Sequence, residues 1–240
     1  MIDLHAHILW GMDDGASTPE VSLAMMELAR GDGITDLVAT SHYLSPLWPF
    51  REESYGEVLA LTAALAREGD PPLTLHPGGE WFWSEEIFSR LADPGALTLA
   101  GSRYLLLELP ALFLPAHLDQ FLFRLQLAGK IPVLAHPERH LVLSRHPDRL
   151  LPWVERGMLI QLTAGSLTGD WGEEIRTAAV FLTRERRAHF LGSDAHDAAR
   201  RPPVLSRGVE AAGKLAGMGW ARTLVEDNPR RVLANLPWET

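Results

Sequence analysis

The chain has 240 residues, a length that one domain with a sizeable core can fill, and its 46% hydrophobic and 22% charged residues are ordinary for a globular protein. It contains no cysteine, which excludes disulfides, thiolate nucleophiles and cysteine-type zinc sites. A formal net charge of −9 disfavours a nucleic-acid backbone as partner, no apolar run reaches the ~20 residues of a membrane span, and the acidic opening MIDLHAHILWGMDDG is unlike a secretory signal, so a cytoplasmic protein without membrane insertion is expected.

The first predicted strand is IDLHAHI at 2–8. A helix follows over 17–33, with Ser17 or Thr18 as N-cap, Pro19 in the first turn and Gly31 or Gly33 as the stop. Next come a strand at 36–42 (DLVATSH), an amphipathic helix over 52–69, and strands at 73–80 (LTLHPGGE) and 103–109 (RYLLLEL). A helix over 115–129 leads to a strand at 131–137 (IPVLAHP), and a shorter helix over 147–157 is kinked or delayed by Pro152. The last strands are 158–164 (MLIQLTA) and 188–194 (AHFLGSD), separated by a helix over 172–187. Two more helices are expected within 202–219 and 228–236. Several strands are nearly continuous apolar runs, the mark of parallel strands covered on both faces. Seven βα units of roughly 30 residues suggest a TIM-like α/β barrel, with an open doubly wound sheet as the structural alternative. No linker or repeat divides residues 1–240, so a single domain is expected.

The ionisable residues fall at one end of these strands. His5 and His7 lie in the first, His42 ends the second, Glu80 the third, Glu108 nearly ends the fourth, His136 the fifth, and Asp194 the seventh with His196 just beyond. In a parallel barrel those ends converge on one face. Each residue also has a plain structural reading, as a surface histidine, a turn residue or a helix cap. Glu108 is the hardest to dismiss, because a lone carboxylate inside YLLLELP is costly to bury unless it is paired or bound to a metal. Together the eight point to a metal site of more than one ion.

The motifs HxH, DDG, TSH, GGE, LLLELP, AHPER and GSDAH resemble the PHP (polymerase and histidinol phosphatase) superfamily. Within it, the opening MIDLHAHILWGMDDGA and the later AHPER, SDAH and RPP are similar to the manganese-dependent protein-tyrosine phosphatases of bacterial capsule and exopolysaccharide operons. The resemblance spans essentially the whole chain. It implies a distorted seven-stranded (β/α) barrel holding three divalent metal ions, manganese first, although the ligands alone also suit zinc or iron. The implied ligands are His5, His7, Asp14, His42, Glu80, Glu108, His136, Asp194 and His196. Asp13 competes with Asp14, and the Asp not used as ligand is expected to bond nearby backbone or support a ligand from behind. Arg139 and Arg201 are implied in substrate binding, with Arg200 as the rival for the second place. The sequence departs from the family pattern after His42, where Tyr43 opens an unusually apolar and aromatic loop, YLSPLWPF.

Without cysteine, the expected chemistry is in-line attack of a metal-bound hydroxide on phosphorus, with the arginines neutralising charge on the equatorial oxygens. A tyrosine leaving group, of pKa near ~10, needs little acid assistance. His140 and Asp197 are the only general-acid candidates. Trp10, Tyr43, Trp48, Phe50, Trp81 and Trp83 follow ligand-bearing strands, and are read either as a wall for an aromatic phosphoester or as loop packing. Arg51 either meets phosphate or caps a helix; His76, His117, His146 and His189 are expected to be structural. The expected substrate is a phosphotyrosine protein, a polysaccharide-regulating tyrosine kinase. The competing readings are a small-metabolite phosphatase such as one for histidinol phosphate, a phosphodiesterase or exonuclease, and a metal-stabilised scaffold without catalysis.

Overall fold

The computed structural model describes residues 1–93 and 95–238, so the last two residues of the expected 1–240 domain lie outside the described residues. Strand β1 (Ile2–Ala6) is followed by helix α1 (Pro19–Gly31), whose N-cap Thr18 accepts a hydrogen bond from the Val21 N–H. Then come β2 (Asp36–Ala39), β3 (His42–Tyr43), α2 (Glu52–Glu68), β4 (Thr74–Pro77), β5 (Glu80–Phe82), the one-turn α3 (Ile87–Arg90) and β6 (Tyr104–Glu108). The chain continues through α4 (Leu118–Leu127), β7 (Ile131–Ala135), α5 (Leu151–Glu155), β8 (Leu159–Thr163), α6 (Ala164–Thr168), α7 (Glu173–Arg184) and β9 (Phe190–Gly192), and ends with α8 (Ser206–Ala216), α9 (Met218–Thr223) and α10 (Asp227–Leu233). In the expected helix over 147–157, a 3₁₀ turn (Pro147–Leu150) precedes α5, and Pro152 sits in the first turn of α5, where a missing N–H costs nothing.

Among the described residues, nine strand segments form two all-parallel sheets: β1-β2-β4 and β3-β5-β6-β7-β8-β9. Two predicted strands are each cut in two. At 36–42 the cut falls at Thr40 and Ser41, where Thr40 N–H donates to Ala6 O and Thr40 Oγ1 accepts the Ala6 N–H, both at 3.0 Å. At 73–80 it falls at Gly78 and Gly79. There the Tyr55 hydroxyl, carried on α2, donates to Gly78 O at 3.0 Å and accepts the Gly78 N–H at 3.1 Å, diverting both groups from the sheet. The sheets meet where β1 runs beside the chain after β9: Asp194 N–H donates to His5 O at 2.9 Å and His7 N–H to Ala195 O at 2.8 Å. The strand pairing is thus that of an α/β fold with two parallel sheets, of three and six strands, not one continuous closed sheet.

Successive strand residues enter different apolar clusters. Tyr104, Leu106, Val133, Leu159 and Phe190 belong to one, and Leu105, Leu107, Leu134, Ile160 and Leu191 to the other. Both faces of the second sheet are therefore covered, which explains the continuous apolar runs. Among the described residues, no helix is long and apolar enough to cross a membrane.

Candidate metal centre

The register of the short strands sets the site. His42 of β3 is the partner of Glu80 of β5, and Phe82 of β5 the partner of Glu108 of β6. These pairings bring three side chains from distant segments to one strand end. The DDG turn folds back onto β1: a Cβ on Gly15 would lie 2.1 Å from the His7 carbonyl oxygen, so only glycine fits. That turn sends the two aspartates apart. Asp13 Oδ2 lies 2.8 Å from His7 Nδ1 and accepts the His42 N–H at 2.9 Å, while Oδ1 accepts the Gly15 N–H at 2.9 Å. Asp14 Oδ1 lies 3.3 Å from both His42 Nε2 and His196 Nε2.

The nine residues expected as ligands fall into four overlapping groups, and in each group the donor atoms lie within 4.8 Å of one another. The groups are His7, Asp14, His42 and His196; His5, His7 and Glu80; His5, His136 and Asp194; and His42, Glu80 and Glu108. Asp13 belongs to none of them. Glu80 Oε1 is 2.8 Å from His136 Nε2 and 3.4 Å from His5 Nε2, and its Oε2 is 3.4 Å from His7 Nε2. His5 Nδ1 is 2.7 Å from Gln161 Oε1, and His5 Nε2 and His7 Nε2 are 3.2 Å apart.

The electrostatics are those of a crowded, dry cluster. Burial and the neighbouring Glu80 push Glu108 up to about 8. Burial works against protonated His7, but Asp13 and Glu80 outweigh it and raise it to about 9. The same opposition, with Asp14, Glu80 and Glu108 as partners, raises His42 to about 11. His136 goes the other way, to about 4, because burial and Arg139 both disfavour its cation. Burial opposes ionisation of Asp194, yet His5, Arg139 and Arg201 hold it well below the usual carboxylate range. His42 Nδ1 is buried 3.0 Å from Glu80 Oε2 and 3.7 Å from Glu108 Oε2. Two of the residues hold left-handed backbone that favours glycine, His136 at φ 32° and Asp194 at φ 53°, strain of the kind concentrated at functional sites.

Asp194 also links this cluster to the arginines. Its Oδ1 lies 3.3 Å from His5 Nε2, and its Oδ2 accepts from both Arg139 and, at 2.6 Å, Arg201. Arg200 takes no such part; its N–H donates to Asp197 Oδ1. The general-acid candidates point elsewhere. His140 Nε2 donates to Phe113 O at 3.1 Å while its Nδ1 accepts from Val142 N–H, and Asp197 caps the turn from Ala199 to Arg200. Of the aromatics, Tyr43, Phe50 and Trp81 pack on one another with Tyr55, and Trp83 lies 5.9 Å from Phe121, so these four serve loop packing. His76 pairs with Asp36 at 2.9 Å, and His189 Nδ1 accepts the Ile160 N–H at 3.0 Å.

Two residues escape the sequence reading. Gln161 is a lone polar residue inside LIQLT, a signal of the same kind as Glu108. Asp3, one position before the HxH motif, is buried, accepts from the Ser193 hydroxyl at 2.5 Å, and is raised to about 6 by burial.

The chain was compared with known proteins. The family model described as capsular polysaccharide synthesis, CpsB/CapC, matches residues 1–234. The tyrosine-protein phosphatase YwqE of Bacillus subtilis (strain 168) is 36% identical over 202 residues, covering 84% of this chain and 79% of that protein. The tyrosine-protein phosphatase CpsB of Streptococcus pneumoniae is 28% identical over 239 residues, covering 97% and 98%. A solved structure from work on YwqE of Bacillus subtilis and CpsB of Streptococcus pneumoniae, described there as unique metal-dependent tyrosine phosphatases, superposes with a TM-score of 0.93 at 32% identity, covering 100% of this chain and 96% of that one.

Proposed function

The chain belongs to the CpsB/CapC family of capsular polysaccharide synthesis, and from that premise we propose that it is a metal-dependent phosphatase acting on phosphotyrosine in proteins. The observation that carries the proposal is the convergence of four His/Asp/Glu groups beside two arginines that share one carboxylate oxygen.

The donor set fits divalent metal. It is imidazole and carboxylate without thiolate, and it packs the carboxylates of Glu80 and Glu108 around His42 Nδ1, at 3.0 and 3.7 Å. His5, His7, Asp14, His42, Glu80, Glu108, His136, Asp194 and His196 are the proposed ligands; Glu80 belongs to two of the groups and has the imidazoles of His5, His7, His42 and His136 within 3.4 Å. Three ions, manganese first, are proposed from the family resemblance. Bound there, divalent metal would supply Lewis acidity and an acidified water. The protein's own groups do the rest. Asp13 and Gln161 fix the rings of His7 and His5 from behind, with Nδ1 engaged and Nε2 free to bind. His136 is kept neutral by burial and Arg139, as a ligand must be. Arg139 and Arg201 offer guanidinium donors for the equatorial phosphoryl oxygens, with Asp194 holding both until substrate arrives. No protonated side chain is needed to expel a phenolate, so the engagement of His140 and Asp197 with backbone groups is consistent with the reading.

The wider assignment is part of the same proposal: one domain, located in the cytoplasm, with a polysaccharide-regulating tyrosine kinase as substrate. We also read the nine strands as seven staves of a distorted barrel. What supports this is that β2–β3 and β4–β5 each resume after two residues, and that β1 bonds the segment following β9.

The test compares initial rates on a phosphotyrosine peptide and on histidinol phosphate, with protein stripped by EDTA and with Mn²⁺, Zn²⁺ or Fe²⁺ restored. The expected result is metal-dependent turnover that favours the peptide. Undiminished activity after stripping, or preference for histidinol phosphate, overturns the proposal.

A further inference from the structure

Arg139 follows β7 and Arg201 follows β9, and no backbone element aligns one with the other. Trp171 does. The guanidinium carbon of Arg139 lies 4.0 Å from the centroid of the Trp171 ring, and that of Arg201 lies 5.1 Å from the same ring. Both fall within the ~6 Å over which a ring face attracts a cation. The same guanidiniums converge on Asp194 Oδ2, where their like charges repel. An aromatic face beside them offsets part of that repulsion without competing for phosphate, since it offers no hydrogen-bond acceptor to the arginines.

The loop that carries Trp171 is built to bring the ring close. It joins α6 to α7, and Asp170 N–H donates back to Gly165 O at 3.0 Å. A Cβ on Gly165 would lie 3.3 Å from the indole Nε1 and 3.0 Å from Asp170 Oδ2. A larger residue there would push the loop outward, away from the arginines.

We propose that Trp171 is a positioning residue that holds Arg139 and Arg201 side by side, so that a phosphoryl group meets a preformed pair. The role rests on the phosphatase reading, which gives those arginines the phosphoryl oxygens. Asp194 fixes only the tips of two long side chains, and those tips must turn to phosphate; the ring face restrains both guanidiniums through that exchange, so less rotamer freedom is lost on binding.

The experiment measures KM and kcat on a phosphotyrosine peptide, inhibition by inorganic phosphate, and metal content. It uses the full-length metal-loaded protein and its Trp171→Ala, Trp171→Leu, Trp171→Phe, Arg139→Ala and Arg201→Ala variants. Trp171→Ala is expected to raise KM and the phosphate inhibition constant about tenfold while metal content stays unchanged. Trp171→Phe restores most of the loss; Trp171→Leu, which keeps apolar bulk without a π face, does not. If Trp171→Ala fails to fold, the comparison of Leu with Phe decides, and Leu performing as well as Phe overturns the proposal. Loss of phosphate affinity in the arginine variants with none in Trp171→Ala also overturns it, leaving the phosphatase reading intact. Normal phosphate affinity in both arginine variants defeats the assigned role of the arginines, and that of Trp171 with it.

Discussion

Gln161 accepts the Nδ1–H of His5 at 2.7 Å, and so turns the other ring nitrogen toward Glu80 and Asp194. The arrangement is poor for stability, because the Gln161 amide nitrogen is buried with no partner, a deficit of about 1–3 kcal/mol. Gln161→Leu trades that deficit for an unpartnered His5 Nδ1–H, so the melting temperature is expected to change little while metal affinity weakens roughly 10- to 100-fold. Metal titration beside thermal unfolding checks both halves; unchanged affinity would show that the hydrogen bond does not orient His5.

His5→Ala and His7→Ala remove donors from two groups each. Both variants should lose bound metal and drop in activity by roughly a hundredfold or more, while the far-UV circular dichroism stays that of the parent. Full metal content with full activity in either variant contradicts the assigned roles.

The adjacent aspartates should separate cleanly. Asp14→Asn removes the carboxylate shared by His42 and His196, and is expected to cut metal stoichiometry. Asp13→Asn keeps an oxygen near His7 Nδ1, so stoichiometry should hold while affinity falls roughly tenfold. Stoichiometry measured by elemental analysis after dialysis distinguishes them, and a reversed pattern would make Asp13 the ligand.

His189 supplies a pH dependence remote from the metal cluster. Burial and Arg187 lower it from 6.5 to about 4, and its Nδ1 must stay unprotonated to accept the Ile160 N–H. Because the folded value lies below the unfolded one, its contribution is complete above pH ~6.5 and is lost as pH falls toward 4, by on the order of 3 kcal/mol. His189→Gln should flatten the fall in melting temperature between those pH values; an unchanged slope refutes the assignment.

Much of this site can be read from sequence because its chemistry demands the wrong residues in the wrong places. Glu108 in an apolar strand and His5 and His7 on a buried one are costly to bury unless paired or bound to metal, and such residues recur at successive strand ends. The breaks in the two strands could not be read, because they depend on Thr40 bonding β1 and on the Tyr55 hydroxyl arriving from α2. Asp13 and Asp14 are equivalent in sequence and differ only once Gly15 lets the turn close on His7. Trp171 lies three residues past a five-residue helix that no periodicity reveals, and its meaning comes entirely from two arginines brought to it by β7 and β9.

The four donor groups interleave along the chain. Each draws on residues both before position 43 and after position 79, so one cut within α2 leaves neither piece with a whole group. Either piece expressed alone is therefore expected to bind no metal at this site and to show no turnover.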